Sequence, residues 1–135
     1  MTTYCTFKTD KTYYAIESDK IRVVLSEFDI SYVPTKNPYI VGIMNIYGDI
    51  YTTVKLTDKN QEACRYCIVM KDLSFAILCE SVELITSKTL EGFTEKDSKF
   101  IRSYIQKSST QPIGVIIIEE LIREIRQHNE SKMLQ

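Results

Sequence analysis

The sequence contains no tryptophan, a single histidine and only four glycines. The last two scarcities each remove a class of function. The scattered glycines form no Gly-rich loop to cradle a phosphate. His128, the one histidine, stands far toward the C-terminus and supplies no central base for an acid–base site. An excess of either charge is missing too: 17 Lys+Arg face 18 Asp+Glu, a formal net charge of -1. A near-neutral chain without basic runs lacks the phosphate-neutralising attraction that dominates nucleic-acid affinity, and it is not drawn to anionic lipid. No stretch approaches the roughly 18 apolar residues needed to cross a bilayer. Met1-Thr2-Thr3-Tyr4-Cys5 lacks the basic start and apolar run of a secretory signal. The expected location is cytoplasmic, with no direct membrane insertion.

What is present fits an ordinary globular domain. The 135 residues are 44% hydrophobic and 26% charged, enough to bury a core without disulfide or metal staples. One domain, residues 1–135, is expected. The four cysteines include the pair Cys64-x-x-Cys67. A zinc site would need two more suitable ligands, and Cys5, Cys79 and His128 form no second close pair. A redox motif would open a helix, where the dipole lowers a thiol pKa. Here the pair opens a predicted strand, so structural cysteines are expected, with no cofactor or metal. His128 is expected to lie exposed near a helix C-terminus.

Short strands at close spacing dominate the chain. Tyr4–Lys8 and Thr12–Glu17 read as a hairpin across Thr9-Asp10-Lys11. Ser18 resembles an N-cap, and Ile21, Val24, Leu25 and Phe28 fall at i, i+3, i+4 and i+7, which predicts a short helix. Val24 and Leu25 are its expected core residues. Ile30–Val33 is extended before Pro34. Ile40–Ile46 and Ile50–Leu56 are strands around Tyr47-Gly48, where Gly48 supplies positive φ for a two-residue turn. The first of them is apolar on both faces, with Ile40, Gly42, Met44 and Ile46 on one side and Val41, Ile43 and Asn45 on the other. Double-sided burial is therefore expected for it. Arg65–Met70 and Phe75–Cys79 form another hairpin. Val82–Ile85 is helical or extended, Thr86–Lys99 a long loop, and Lys99–Gln106 and Ile113–Ile117 strands. An amphipathic helix over Ile118–Gln127 closes the pattern. The segments TDKTYYAIES and MKDLSFAILCES rhyme loosely as turn, strand and Glu-Ser. Many short strands without βαβ alternation predict a mostly β, closed or sandwich-like architecture.

This pattern resembles the CheW-like domain family. The resemblance is carried by the first hairpin, Val33-Pro34, Pro38-Tyr39-Ile40-Val41-Gly42-Ile43-Met44-Asn45-Ile46-Tyr47-Gly48, the strand through Leu56, SFAILCESVELI and PIGVIIIEELI, and it covers nearly the whole chain. It implies two packed five-stranded SH3-like β-barrels, with a short helix after the first hairpin and a C-terminal helix. It also implies a non-catalytic scaffold that couples the cytoplasmic tip of a chemoreceptor (a methyl-accepting chemotaxis protein) to the regulatory domain of a CheA-type histidine kinase in membrane-bound arrays. The implied partner-binding residues are Ile21, Val23, Ile43, Asn45, Tyr47 and Gly48. The chain departs from the family where Tyr47 stands for an Arg, Val23 for a Glu, and Lys55-Leu56 for an Asp-Leu, while Glu80 keeps an acidic position.

Two other readings compete: a divergent accessory adaptor of another chemosensory or pilus pathway, and a small-barrel nucleic-acid binder. Nine tyrosines could stack on bases, but they fall mostly in strands, where tyrosine packs well. Glu17-Ser18-Asp19 places two carboxylates together, and cap and surface roles account for them. No catalytic residues are expected.

Overall fold

A computed structural model of the chain describes residues 3–56, 63–86, 90–93, 100–106 and 112–133. Tight turns organise it. Strands β1 (Thr3–Thr9) and β2 (Thr12–Glu17) pair antiparallel with Thr9 opposite Thr12. The intervening Asp10 and Lys11 have φ of 49° and 68°, the left-handed pair whose twist matches a two-residue hairpin. The turn is braced from outside, because Glu80 Oε1 accepts the Asp10 amide at 3.0 Å.

The segment that follows differs from expectation. The short helix is a single 3-10 turn, Ser18–Lys20, with Glu17 at its cap position and no side-chain capping bond. The residues of the predicted helix then form β3 (Ile21–Leu25). Its burial alternates: Ile21, Val23 and Leu25 are half-buried, whereas Arg22 and Val24 are exposed. Val24, 37% exposed, is therefore not a core residue. Ile-Arg-Val-Val-Leu satisfies both a helical and a two-residue period. Its β-branched side chains, and a partner strand to complete its hydrogen bonds, favour the strand.

The remaining strands are β4 (Ser31–Tyr32), β5 (Ile40–Ile46), β6 (Asp49–Val54), β7 (Tyr66–Met70), β8 (Phe75–Cys79), β9 (Ser81–Thr86), β10 (Leu90–Phe93), β11 (Ile101–Gln106) and β12 (Pro112–Ile116). Helix α1 (Ile118–Met133) follows. β10 lies within the expected loop, and the rest of that loop, 87–89 and 94–99, falls outside the described residues. Two six-stranded sheets result, ordered β10-β11-β12-β2-β1-β9 and β3-β7-β8-β6-β5-β4. The class is the expected one, mostly β with a C-terminal helix, built as two packed sheets rather than closed five-stranded barrels.

The two sheets share one connectivity. Advancing every strand of the second sheet by six positions, counted cyclically, reproduces the first. Each contains one parallel pair, β12 with β2 and β6 with β8. The two rhyming segments sit on equivalent hairpins, β1–β2 and β7–β8. Each hairpin joins the sheet formed mainly by the other half: β1 and β2 lie with β9–β12, and β7 and β8 with β3–β6.

β7 and β8 are buried on both faces, so they read as continuous apolar runs. Ile68, Met70, Phe75, Ile77 and Cys79 meet Phe7, Tyr14 and Ile16 of the first sheet and Ile118 and Leu121 of α1. Cys67, Val69, Ala76 and Leu78 face a second core with Val41, Met44, Ile46 and Tyr51. β5 was expected to be buried on both sides, yet its outer face is open, with Ile43 40% exposed and Asn45 exposed. A register shift between Ile40 and Gly42 also turns Val41 inward, to the side of Met44. Gly42 is required where β4 crosses close, since a Cβ there would lie 2.3 Å from the Ser31 carbonyl oxygen.

A buried polar node holds α1 to the segment before β5. Asn37 Nδ2 donates to the Ile125 carbonyl at 3.0 Å, and Asn37 Oδ1 accepts the Tyr39 amide at 3.0 Å. His128 stays partly exposed, its side chain 37% accessible, but it does not act at the helix end. It lies inside α1, its Nε2 is 3.2 Å from Glu124 Oε1, and its ring meets the edge of Tyr39 at 5.3 Å.

Candidate partner-binding site

The β5–β6 hairpin turns on Tyr47 and Gly48, with φ of 51° and 90°, between the paired residues Ile46 and Asp49. Gly48 adopts this conformation freely, whereas Tyr47 does so at a steric cost. Asn45 compensates: its Oδ1 accepts the Gly48 amide at 3.0 Å. The turn holds the Tyr47 ring 80% exposed at the tip. Behind it, Asn45 pairs with Ile50 and Ile43 with Thr52, and directly opposed residues share a face. Ile43, Asn45 and Ile50, the last 55% exposed, therefore line the outer surface leading to Tyr47. Among the described residues, the exposed large apolar side chains are Val24, Tyr32, Ile43, Tyr47 and Ile50, all in the β3–β6 sheet.

Four of the six implied contact residues thus come together: Ile43, Asn45, Tyr47 and Gly48. Ile21 and Val23 do not join them. Ile21 packs against the core between the sheets, and Val23 against the core inside the second sheet. Val23 faces inward, so an apolar residue there fills space and leaves no bare patch.

Arg22 is the site residue that sequence reasoning missed. Its Nη1 donates to Asp49 Oδ2 at 3.1 Å and to the Tyr51 hydroxyl. Its guanidinium lies 5.8 Å from the Tyr47 ring centre and 5.9 Å from that of Tyr51, within cation–π range. The Tyr51 hydroxyl, and after it Asp49, raises the Arg22 pKa further above its ordinary value. The CheW-like resemblance implies an Arg at this turn position. Here a guanidinium reaches the same tip from β3, paired with a carboxylate. The surface around Tyr47 is therefore a charged pair set among aromatic rings. The available signal was the β-branched run around Arg22, which a helical assignment conceals, while the register shift between Ile21 and Val23 has no mark in the spacing.

The other polar positions serve the fold. Glu80 braces the β1–β2 turn, and Lys55 ties its backbone amide to the Tyr39 carbonyl at 2.8 Å. All four cysteines are free thiols, with Cys5, Cys67 and Cys79 buried. Burial pushes Cys5 up to about 11 and Cys67 up to about 12, and it raises Cys79 and half-buried Cys64 as well. Thiols that resist ionisation are poor nucleophiles and poor ligands. No group of three His, Cys, Asp or Glu residues suited to a metal occurs among the described residues. No helix there is long and apolar enough to cross a membrane.

Comparison with solved structures identifies the architecture. The scaffolding protein TtCheW from Thermoanaerobacter tengcongensis matches with a TM-score of 0.67, covering 85% of this chain and 88% of that chain at 18% identity. The fold is CheW-like. No family model matches the sequence, and no curated protein sequence does. At this identity the CheW-like likeness concerns the backbone, and the surface chemistry is read from this chain's own residues.

Proposed function

We propose that this chain is a non-catalytic adaptor that couples chemoreceptors to a CheA-type histidine kinase. The CheW-like fold, shared with a protein described as a scaffold, is the observation that carries this reading. The exposed outer face of β5, ending in the Arg22–Tyr47–Asp49 cluster, supports it by offering aromatic and arginine anchors of the kind that dominate interfaces. In this reading the chain acts as one domain of two β subdomains, in the cytoplasm at membrane-bound receptor arrays. Ile43, Asn45, Tyr47 and Gly48 meet a partner.

Calorimetric titration with a receptor cytoplasmic tip and with a CheA regulatory domain tests the proposal. Binding of both at micromolar strength or better supports coupling. Binding of neither, alongside micromolar binding of single-stranded nucleic acid with a steep salt slope, replaces the adaptor by the small-barrel alternative. A divergent accessory adaptor would bind only one of the two partners.

A further inference from the structure

Beside the hairpin tip, the interior of the β3–β6 sheet opens to solvent through a cavity of about 280 Å³. Its floor is apolar, with Met44 and Ile46 buried and Leu25 and Phe28 half-buried. Its lip carries Glu27, Asp29, Asn45 and the Tyr47 ring. Cofactor and drug-like sites usually run from about 300 to 1,000 Å³, so this cavity suits a single long side chain. We propose that it receives an arginine side chain presented by a partner protein.

The charge arrangement selects a cation. Glu27 and Asp29 are both exposed, and neither has an ion-pair partner among the described residues. Arg22, the cation at the hairpin tip, is already committed to Asp49 and Tyr51. Arg65 lines a second opening together with Glu27 and Asp29 but forms no ion pair with either carboxylate. An entering anion would meet two unpaired carboxylates, whereas an entering guanidinium would pair with them. The apolar floor selects a side chain with a methylene stem, which can bury its carbons while its charged head stays at the lip.

The aromatic lip selects arginine over lysine. A planar guanidinium stacks on a ring and pairs with carboxylates at once, whereas an ammonium is a compact, strongly hydrated point charge. The protein already displays this recognition internally, with Arg22 over the rings of Tyr47 and Tyr51 and bonded to Asp49. Tyr47 offers Arg22 one face of its ring, and at 80% exposure it keeps area for a second guanidinium. This inference deepens the adaptor reading by giving the chemistry of the docking segment, but its test uses neither receptor nor kinase, so each can fail alone.

The test is a two-dimensional NMR titration of the full chain at low salt with Nα-acetyl-arginine amide, alongside the corresponding lysine and glutamate amides. The expected result is saturable shifts at Glu27, Phe28, Met44 and Tyr47 with the arginine probe. Binding should be at least threefold weaker for lysine and absent for glutamate. The double variant Glu27→Gln/Asp29→Asn should weaken arginine binding about tenfold with an unchanged melting curve, because both residues are exposed. Absence of shifts at these residues, equal binding of the lysine or glutamate probe, or undiminished binding by the double variant would each overturn the proposal.

Discussion

Arg22 on β3 and Tyr51 on β6 are hydrogen-bonded although β7 and β8 lie between their strands in the sheet order. A flat sheet would hold them well apart. Their contact shows that the sheet curls on itself around the core of Val41, Met44, Ile46, Cys67, Val69 and Leu78, which is how an open six-stranded sheet takes on the character of a small barrel. The same contact puts a positive charge beside the hairpin tip, so fold and candidate interface share one side chain.

Tyr47 should trade stability for binding. Asparagine tolerates a left-handed backbone better than tyrosine and favours the first position of this turn. Tyr47→Asn should therefore relieve about 1 kcal/mol of backbone strain, partly offset by loss of the Arg22 contact, while weakening one adaptor partner by about 1–2 kcal/mol. Melting curves set beside calorimetric titrations with the receptor tip and the kinase domain check both halves. Full affinity in the variant would mark Tyr47 as an idle turn residue.

Thr53 is fully buried on β6, and its Oγ1 is without a hydrogen-bond partner among the described residues. Valine has nearly the same shape and no hydroxyl to desolvate. Thr53→Val should stabilise the fold by about 1 kcal/mol, read as a shift of the urea midpoint with unchanged slope.

Val24 and Leu25 should separate sharply. Leu25 packs against the core inside the second sheet, whereas Val24 is 37% exposed. Leu25→Ala should cost about 2 kcal/mol, the low end for core truncation because the residue is half-buried, and Val24→Thr less than about 0.5 kcal/mol. Comparable losses would place both on one buried face, as a helix would.

The thiols give a pH prediction. Burial raises Cys5 and Cys67 from 9.0 to about 11 and about 12. The unfolded chain therefore releases these protons first as pH rises. The stabilising contribution is full below pH 9 and is lost progressively up to about pH 12. Urea midpoints measured from pH 8 to 11 should fall above pH 9. At pH 7.5 an aromatic disulfide reagent should label half-buried Cys64 well before the three buried thiols. Equal labelling of all four would show that the cores open readily.

Much of this architecture is legible in the residues. Tyr47-Gly48 between apolar strands marks its hairpin because turn chemistry is local, and Ile118, Leu121, Ile122 and Ile125 mark α1 because the helical period is local. β3 was not legible. Ile21, Val24, Leu25 and Phe28 fit a helix as well as Ile21, Val23 and Leu25 fit a strand, and the deciding partner, β7, lies more than forty residues away. With β3 went Arg22, and with Arg22 the charged half of the site. The Asn37–Tyr39–Glu124–His128 node was equally hidden, since no spacing along the chain links a loop asparagine to a carbonyl of the final helix.

The exchanged hairpins constrain how the chain folds. β2 finds its parallel neighbour only when β12 exists, with Tyr13 against Ile113, and β1 finds its outer neighbour only in β9. During synthesis the first hairpin can form as soon as it emerges, but it has no sheet to join until β9, and then β12, have followed some seventy to a hundred residues later. Neither half carries a complete sheet of its own, so isolated halves would expose unpaired strand edges. Loop closure over such separations makes folding slow, on the order of milliseconds to seconds, and mixing the two halves as separate polypeptides would let each supply the hairpin the other lacks.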